Sequence, residues 1–368
     1  MRAKIFEVIA DAELGGAPKH VLTLVRGLDK KQFEPVVVCP SGWLARECKQ
    51  EKIEVINIDF KGFYDFKSVR KLRAKIKKEN PDLVHLHGVR VGWLGTLALI
   101  GLGKKMIYTE HLYTHSYHLN SRFREFLQIF GLFFANLFAK KIITPSSAVK
   151  KFLTDKVLVR SAKITIVPNG LEEFKVKDRD PDMKIGFIGG LNIQKGIPTL
   201  VSAMRELSLE FPDLKLEIIG DGPLKNQLER LSADIKSNVK FLGQKEDIAD
   251  FLTSWKMLVV PSVSESFGQV ALESFIASRP VVATSVGGLP EVVLEDATGI
   301  LTKPADVPDM VHAISFLLHN PKEAERMGRN GRKIYERFFT AKRMVSAIED
   351  IYRKTIGKTN DEHQKTKK

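Results

Sequence analysis

The chain has 368 residues, 43% hydrophobic and 28% charged, a composition that fits a globular protein of about two domains and excludes a disordered or fibrous one. Two cysteines, Cys39 and Cys48, exclude a disulfide framework and are expected as free thiols, and no stretch approaches the roughly 20 apolar residues of a spanning helix. The net charge of +14 lies wholly in residues 1–170, with 29 Lys and Arg against 15 Asp and Glu, whereas residues 171–368 hold 29 of each. Such a basic half either aids solubility alone or meets an anionic partner, for which nucleic acid, an anionic membrane and a phosphate-bearing acceptor are the candidates.

In chain order, the apolar run 5–10, interrupted by Glu7, is too short for a signal-peptide core and reads as a first strand. Further strands are expected at 35–39, 55–58, 83–87, 106–109, 141–144 and 164–167. Residues 67–78 place Val69, Leu72 and Ile76 on one helical face, and Asn80-Pro81 stops that helix. Segment 123–138 carries Phe123, Phe126, Phe130, Phe133, Phe134 and Phe138, with Arg122 and Arg124 nearby and Lys140-Lys141 behind. It is either a core helix or one lying in a membrane interface.

The charged stretch 172–181 (EEFKVKDRDP) separates a domain 1–172 from a domain 173–340. A second series of strands follows at 184–188, 215–219, 239–242, 257–260, 280–283 and 299–301. Residues 341–356 hold a final amphipathic helix, and 357–368 form a polar, basic tail expected to be disordered. Strands alternating with helices predict an α/β fold of two doubly wound, Rossmann-like parallel sheets.

Three turns set glycine just after a strand: Gly15-Gly16, Gly189-Gly190, and Gly220-Asp221-Gly222. Glycine lets the backbone approach an anion at a helix N-terminus, which suits a diphosphate; it also suits any strand-to-helix turn. None completes the G-x-G-x-x-G fingerprint, so a nicotinamide dinucleotide is not expected. The sharpest local signal is PSVSESFGQVALE at 261–273, where Glu265 sits in the loop after a strand and Glu273 inside a helix expected to start near Phe267.

This stretch resembles the retaining family 4 glycosyltransferases, which carry two glutamates separated by seven residues. The resemblance runs through GGAPKHV at 15–21, TEH at 109–111, VPNG at 167–170, FIGGLNIQKG at 187–196, GDGPL at 220–224 and TSVGGLPE at 284–291. It implies the GT-B architecture, in which two Rossmann-like domains face a cleft, the first taking the acceptor and the second the nucleotide sugar. The last helix is expected to return to the first domain. The resemblance assigns Glu273 to the ribose hydroxyls, Glu265 to the donor sugar and Lys195 to the diphosphate. It gives phosphate or sugar oxygens to the backbone amides of Phe267, Gly268 and Gln269, the diphosphate to Gly16, and the donor sugar to His111. Gln244 is assigned to donor binding on the same ground. Where the family usually has Gly-Arg-Leu, this chain has Gly189-Gly190-Leu191, so an arginine that grips the diphosphate is replaced by Gly190. Lys184 or Lys245 would be the substitutes.

The resemblance implies retention, no cofactor and no metal. His85 and His87 lie two apart on a strand, but no Cys or Asp accompanies them at a ligand spacing. The expected substrates are a nucleotide sugar, UDP-linked by family frequency, and a glycan or lipid-linked acceptor of cell-surface polysaccharide assembly. An anionic membrane is expected to meet the basic half, which places the chain in the cytoplasm, peripheral at the inner face of the plasma membrane. Nucleic acid is not expected, because aromatic and basic residues do not interleave as stacking platforms. A sugar-nucleotide epimerase of the same fold and a weakly active nucleotide-sugar-binding protein remain the alternatives.

Overall fold

The computed structural model describes residues 2–112, 122–177 and 179–357. Two compact units divide the chain. One holds the described residues up to Gly170 together with the helix Ala341–Ile356; the other holds Leu171–Thr340. In the first unit, β1 (Ala3–Ile9), β2 (Phe33–Cys39), β3 (Glu54–Asn57), β4 (Leu83–His87), β5 (Lys105–Thr109), β6 (Lys141–Thr144) and β7 (Ile164–Ile166) form a sheet in the order β3-β2-β1-β4-β5-β6-β7. In the second, β8 (Lys184–Ile188), β9 (Lys215–Ile219), β10 (Val239–Gly243), β11 (Met257–Val260), β12 (Val281–Thr284) and β13 (Gly299–Thr302) follow the order β10-β9-β8-β11-β12-β13. Every strand pairing is parallel. Buried runs such as VVV at 36–38 and LVV at 258–260 are what a sheet covered on both faces requires.

Strand order reverses between β1 and β4 in one unit and between β8 and β11 in the other. In open α/β sheets ligands bind at such switch points, beyond the carboxyl ends of the strands. Gly15-Gly16 and His87 stand there in the first unit. Lys195 and Glu265 stand there in the second.

Local chemistry sets the helix limits. Asp65 accepts a hydrogen bond from Ser68 N (3.1 Å) to open the helix Phe66–Glu79, and Asn80, in the left-handed region at φ 48°, closes it. The helix Ala341–Ile356 buries Met344, Val345, Ile348, Ile351 and Tyr352, at helical spacing, against Ala3, Ile5, Leu24, Leu28 and Phe33. Each such side chain stabilises the unit by about 1.5–3 kcal/mol relative to exposure. A Cβ at Gly27 would lie 2.7 Å from Val345 Cγ2, so glycine there admits the helix.

Helix Arg122–Phe138 buries Leu132 and Ala135 but exposes Phe126, Phe130, Phe133, Leu137 and Phe138. Trp93 packs against Phe130 and Phe134 at ring-centroid distances of 5.7 and 5.0 Å. The side chains of Arg122, Phe123 and Arg124, and the tail beyond Gly357, lie outside the described residues. Cys39 and Cys48 are free and buried, and burial pushes their thiols up to about 12 and about 11, so both stay protonated at neutral pH.

Candidate active site

The second unit brings Lys195 and Glu265 together. Asn192 opens a single 3₁₀ turn, Ile193–Lys195, by accepting from Lys195 N. Gly196 follows at φ 60°, and a Cβ there would lie 1.9 Å from the carbonyl oxygen of Pro261. Only glycine permits that approach. Val263 N and Ser264 N both donate to Gln194 O (2.9 and 3.2 Å), so the loop after β11 is laced to the turn after β8. The outcome is an ion pair: Lys195 Nζ lies 2.6 Å from Glu265 Oε2, which Ser262 Oγ also approaches at 3.3 Å. Glu265 O accepts from Gly288 N (3.0 Å), tying in the loop after β12.

The neighbouring loops join the same edge. Leu191 N donates to Asp221 O (2.9 Å), and Gly220 N donates to Gly243 O (2.9 Å). Gly220, at φ 140°, would drive a Cβ to 1.9 Å from Gly189 O. Gln244 and Lys245 are exposed just past β10. Lys184 is not a substitute for the family arginine. It opens β8, at the opposite end of the strand from Gly190, and pairs with Asp182 (3.0 Å) and Glu217 (3.6 Å).

The helix bearing Glu273 begins at Gln269, two residues later than the sequence implied, because Gly268 adopts φ 95°. Gly268, the residue that opens this helix, offers no side-chain cap. Phe267 is buried and stacks edge-on against Phe339 at 5.8 Å, so it offers its backbone alone. Glu273 is buried on the helix, and Gln269 Nε2 is a buried donor without a partner among the described residues.

The first unit gathers a cluster that the sequence did not announce. Glu7 of β1 pairs in register with His85 of β4, and His87 with Thr109 of β5. Glu7 Oε2 accepts from His87 Nε2 (2.9 Å) and lies 3.1 Å from His85 Nδ1; Glu7 Oε1 accepts from Tyr352 OH (2.6 Å). His87 Nδ1 faces His111 Nε2 at 3.1 Å. His20, on the helix Gly16–Gly27, meets His111 edge-on at 4.8 Å and donates from Nδ1 to Asn169 Oδ1 (2.9 Å).

Burial alone would raise the Glu7 carboxyl, yet His85 beside it and hydrogen bonds from both histidines hold it well below the ordinary carboxylate range. Burial, then the neighbouring imidazoles, lower His87 to about 4, His20 to about 3 and His111 well below its usual value. The residues bring three ligand atoms within 4.8 Å of one another twice, in His20/His87/His111 and in Glu7/His85/His87. The contacts of 2.9 and 3.1 Å are hydrogen-bond lengths, and the cluster reads as a hydrogen-bonded network. Glycine at 15 has no role in the fold itself. Its φ of −172° suits any residue, and an added Cβ would meet nothing nearer than 3.9 Å. Gly16 opens the helix behind it.

Two family models cover most of the chain: Glycosyltransferase Family 4 over residues 14–173 and Glycosyl transferases group 1 over 169–334. An uncharacterised glycosyltransferase of Methanocaldococcus jannaschii is 28% identical over 92% of this chain and 94% of its own. The capsular polysaccharide biosynthesis glycosyltransferase CapM of Staphylococcus aureus is 25% identical over 90% and 93%. Among solved structures, HepE of Anabaena with UDP and glucose superposes with a TM-score of 0.84 at 19% identity, over 95% of this chain and 99% of that one. Sucrose-phosphate synthase of Thermosynechococcus elongatus gives 0.81 at 22%, over 97% and 100%. With its two Rossmann-like sheets and matches to both models, the chain belongs to the group 1, family 4 glycosyltransferases, and is an enzyme of that class.

Proposed function

We propose that the enzyme moves a sugar from a nucleotide sugar to a glycan or lipid-linked acceptor, with retention at the anomeric carbon and without a metal. The observation that carries this reading is the second unit's switch point, where a lysine, a loop carboxylate and a helix N-terminus opened by glycine stand together. A departing diphosphate gains negative charge, and Lys195 with the amides of Gln269 and its neighbours suits that charge. Glu265 lies beside Lys195 and would face the donor sugar. Glu273, an acceptor-only carboxylate, suits the vicinal hydroxyls of ribose. UDP and UDP-glucose in HepE support a uridine donor.

The acceptor reading rests on the first unit. Exposed Phe126, Phe130, Phe133, Leu137 and Phe138 sit on one helix, and Lys140, Arg160 and Lys163 cluster at its end. An apolar face bordered by cations suits an anionic membrane and a lipid-linked acceptor. No helix among the described residues is long and apolar enough to cross a membrane.

The test is a donor screen on the purified protein with UDP-, GDP-, ADP- and dTDP-sugars, with and without bacterial lipid extract. Release of one nucleoside diphosphate, increased by lipid and lost in Glu273→Ala, is expected. An isomeric nucleotide sugar without diphosphate release would make the enzyme an epimerase instead.

A second expectation concerns Gly190. A Cβ there would lie 3.1 Å from Asn192 Nδ2, a side-chain amide able to yield, and 4.0 Å from Asp221 O. Gly190→Arg is therefore expected to fold and to lower the donor KM about tenfold, the worth of one charged hydrogen bond. An unchanged KM would show that the diphosphate does not pass residue 190.

A further inference from the structure

We propose that Glu7 and His87 are positioning residues that lock His111 in one tautomer, with Nε2–H given to His87 and Nδ1 left bare to accept a hydrogen bond from a substrate hydroxyl. The proposal rests on the reading of His111 as a substrate-facing residue of a sugar transferase.

The hydrogen-bond network fixes the protons one after another. Glu7, held ionised, can only accept. Its Oε1 receives Tyr352 OH at 2.6 Å, and its Oε2 lies 2.9 Å from His87 Nε2, which must therefore carry hydrogen. Burial keeps His87 neutral at physiological pH, so its Nδ1 holds only a lone pair. That nitrogen lies 3.1 Å from His111 Nε2, and only a hydrogen on His111 Nε2 can fill the gap. The two rings are within 17° of parallel with centroids 5.4 Å apart, a geometry compatible with an in-plane N–H···N contact. His111 is also kept neutral, so no hydrogen remains for Nδ1.

His111 Nδ1 is buried and has no partner among the described residues. Buried acceptors are rarely left in that state, and one at the carboxyl edge of β5 calls for a ligand's donor. Both chain ends contribute. Glu7 comes from the first strand, and Tyr352, whose hydroxyl holds Glu7 and approaches His85 Nδ1 at 2.6 Å, comes from the last helix. The arrangement is a carboxylate–imidazole–imidazole series, in which a charged acceptor two residues away in the network decides which nitrogen of the last ring is free.

The test combines nitrogen NMR of the histidines in the full chain with kinetics of Glu7→Gln. In the wild type, the His111 signals, assigned by their loss in His111→Asn, are expected to show hydrogen on Nε2 and none on Nδ1. A glutamine at 7 with its oxygen on Tyr352 turns an N–H toward His87 and reverses both imidazoles. The variant is expected to lose about 100-fold in kcat, the effect of a buried hydrogen bond replaced by two opposed donors, with donor KM within about threefold. Its His111 signals should show hydrogen on Nδ1. Hydrogen on Nδ1 in the wild type would overturn the proposal even if the variant failed to fold. So would unchanged kcat, or a loss of kcat with the His111 tautomer intact. A wild type that turns over no nucleotide sugar would sink the transferase reading alone, since the NMR result stands without turnover.

Discussion

Replacing Lys195 by alanine is expected to lower kcat by about 100- to 1000-fold, the effect of removing one preorganised donor from a developing oxyanion. The same change removes the cation beside Glu265, whose side chain is 11% exposed and whose other hydrogen-bond partner is Ser262 at 3.3 Å. An unpaired, mostly buried carboxylate destabilises its surroundings, here by about 1–2 kcal/mol since water still reaches the pair. Loss of activity in Lys195→Ala alone would thus mix a chemical effect with a structural one. The double variant Lys195→Ala/Glu265→Gln separates them. It leaves no stranded charge, so its melting temperature should return toward that of the wild type, while kcat should stay low. If turnover recovered together with stability, Lys195 would serve only to hold Glu265. If Lys195→Ala kept full kcat, the leaving diphosphate would need another cation, for which exposed Lys245, just past β10, is a candidate.

The parts of the fold that local chemistry decides were legible in the residues. Strands expected at 83–87, 184–188, 215–219 and 257–260 are those observed, because each is a short apolar run between turn residues. The helix expected over 67–78 declared itself through its apolar spacing and Asn80-Pro81, and the structure adds the capping residue Asp65 and one residue at each end. The start of the Glu273 helix was misjudged by two residues because a glycine at φ 95° can extend a loop at little cost. The Lys195–Glu265 pair was half legible. Both residues were singled out, but their contact depends on Gly196 passing within van der Waals reach of Pro261, a long-range event without a local signature.

The histidine network was the least legible part. Glu7, His20, His85, His87, His111 and Tyr352 come from two strands, two helices and the loop after β5, and span the chain from its first strand to its last helix. One signal was available. Glu7 interrupts an apolar run that a doubly covered sheet buries, and a buried carboxylate is almost never left without partners. His85 and His87, two apart on a neighbouring strand, share a face and are the natural partners.

This network makes the first unit acid-sensitive. A histidine whose folded value is depressed binds fewer protons than the unfolded chain at every pH between the two values. The unfolded chain takes up protons near pH 6.5. His87 resists until about 4 and His20 until about 3, and His111 is also depressed. Stability is therefore lost as pH falls below about 6.5, at up to roughly 1.4 kcal/mol per pH unit for each neutral histidine, or about 4 for the three. Glu7 acts in the other window: its depressed carboxyl contributes stability above the unfolded value of 4.5, and that stability is lost only in stronger acid. It gives no relief between pH 6.5 and 4.5. Amide hydrogen exchange of β1, β4 and β5 at pH 7, 6 and 5 should show their opening free energy falling steeply, while the strands of the second unit change little. Self-repulsion of a chain with net charge +14 would also weaken it in acid, but His20→Gln distinguishes the two causes. Removing one depressed histidine should flatten the slope by about 1.4 kcal/mol per pH unit, whereas general repulsion would leave it unchanged. Opening free energies that stay level from pH 7 to 5 would mean that the imidazoles take up protons in the folded protein, and with them the fixed order of hydrogens from Glu7 to His111 would be lost.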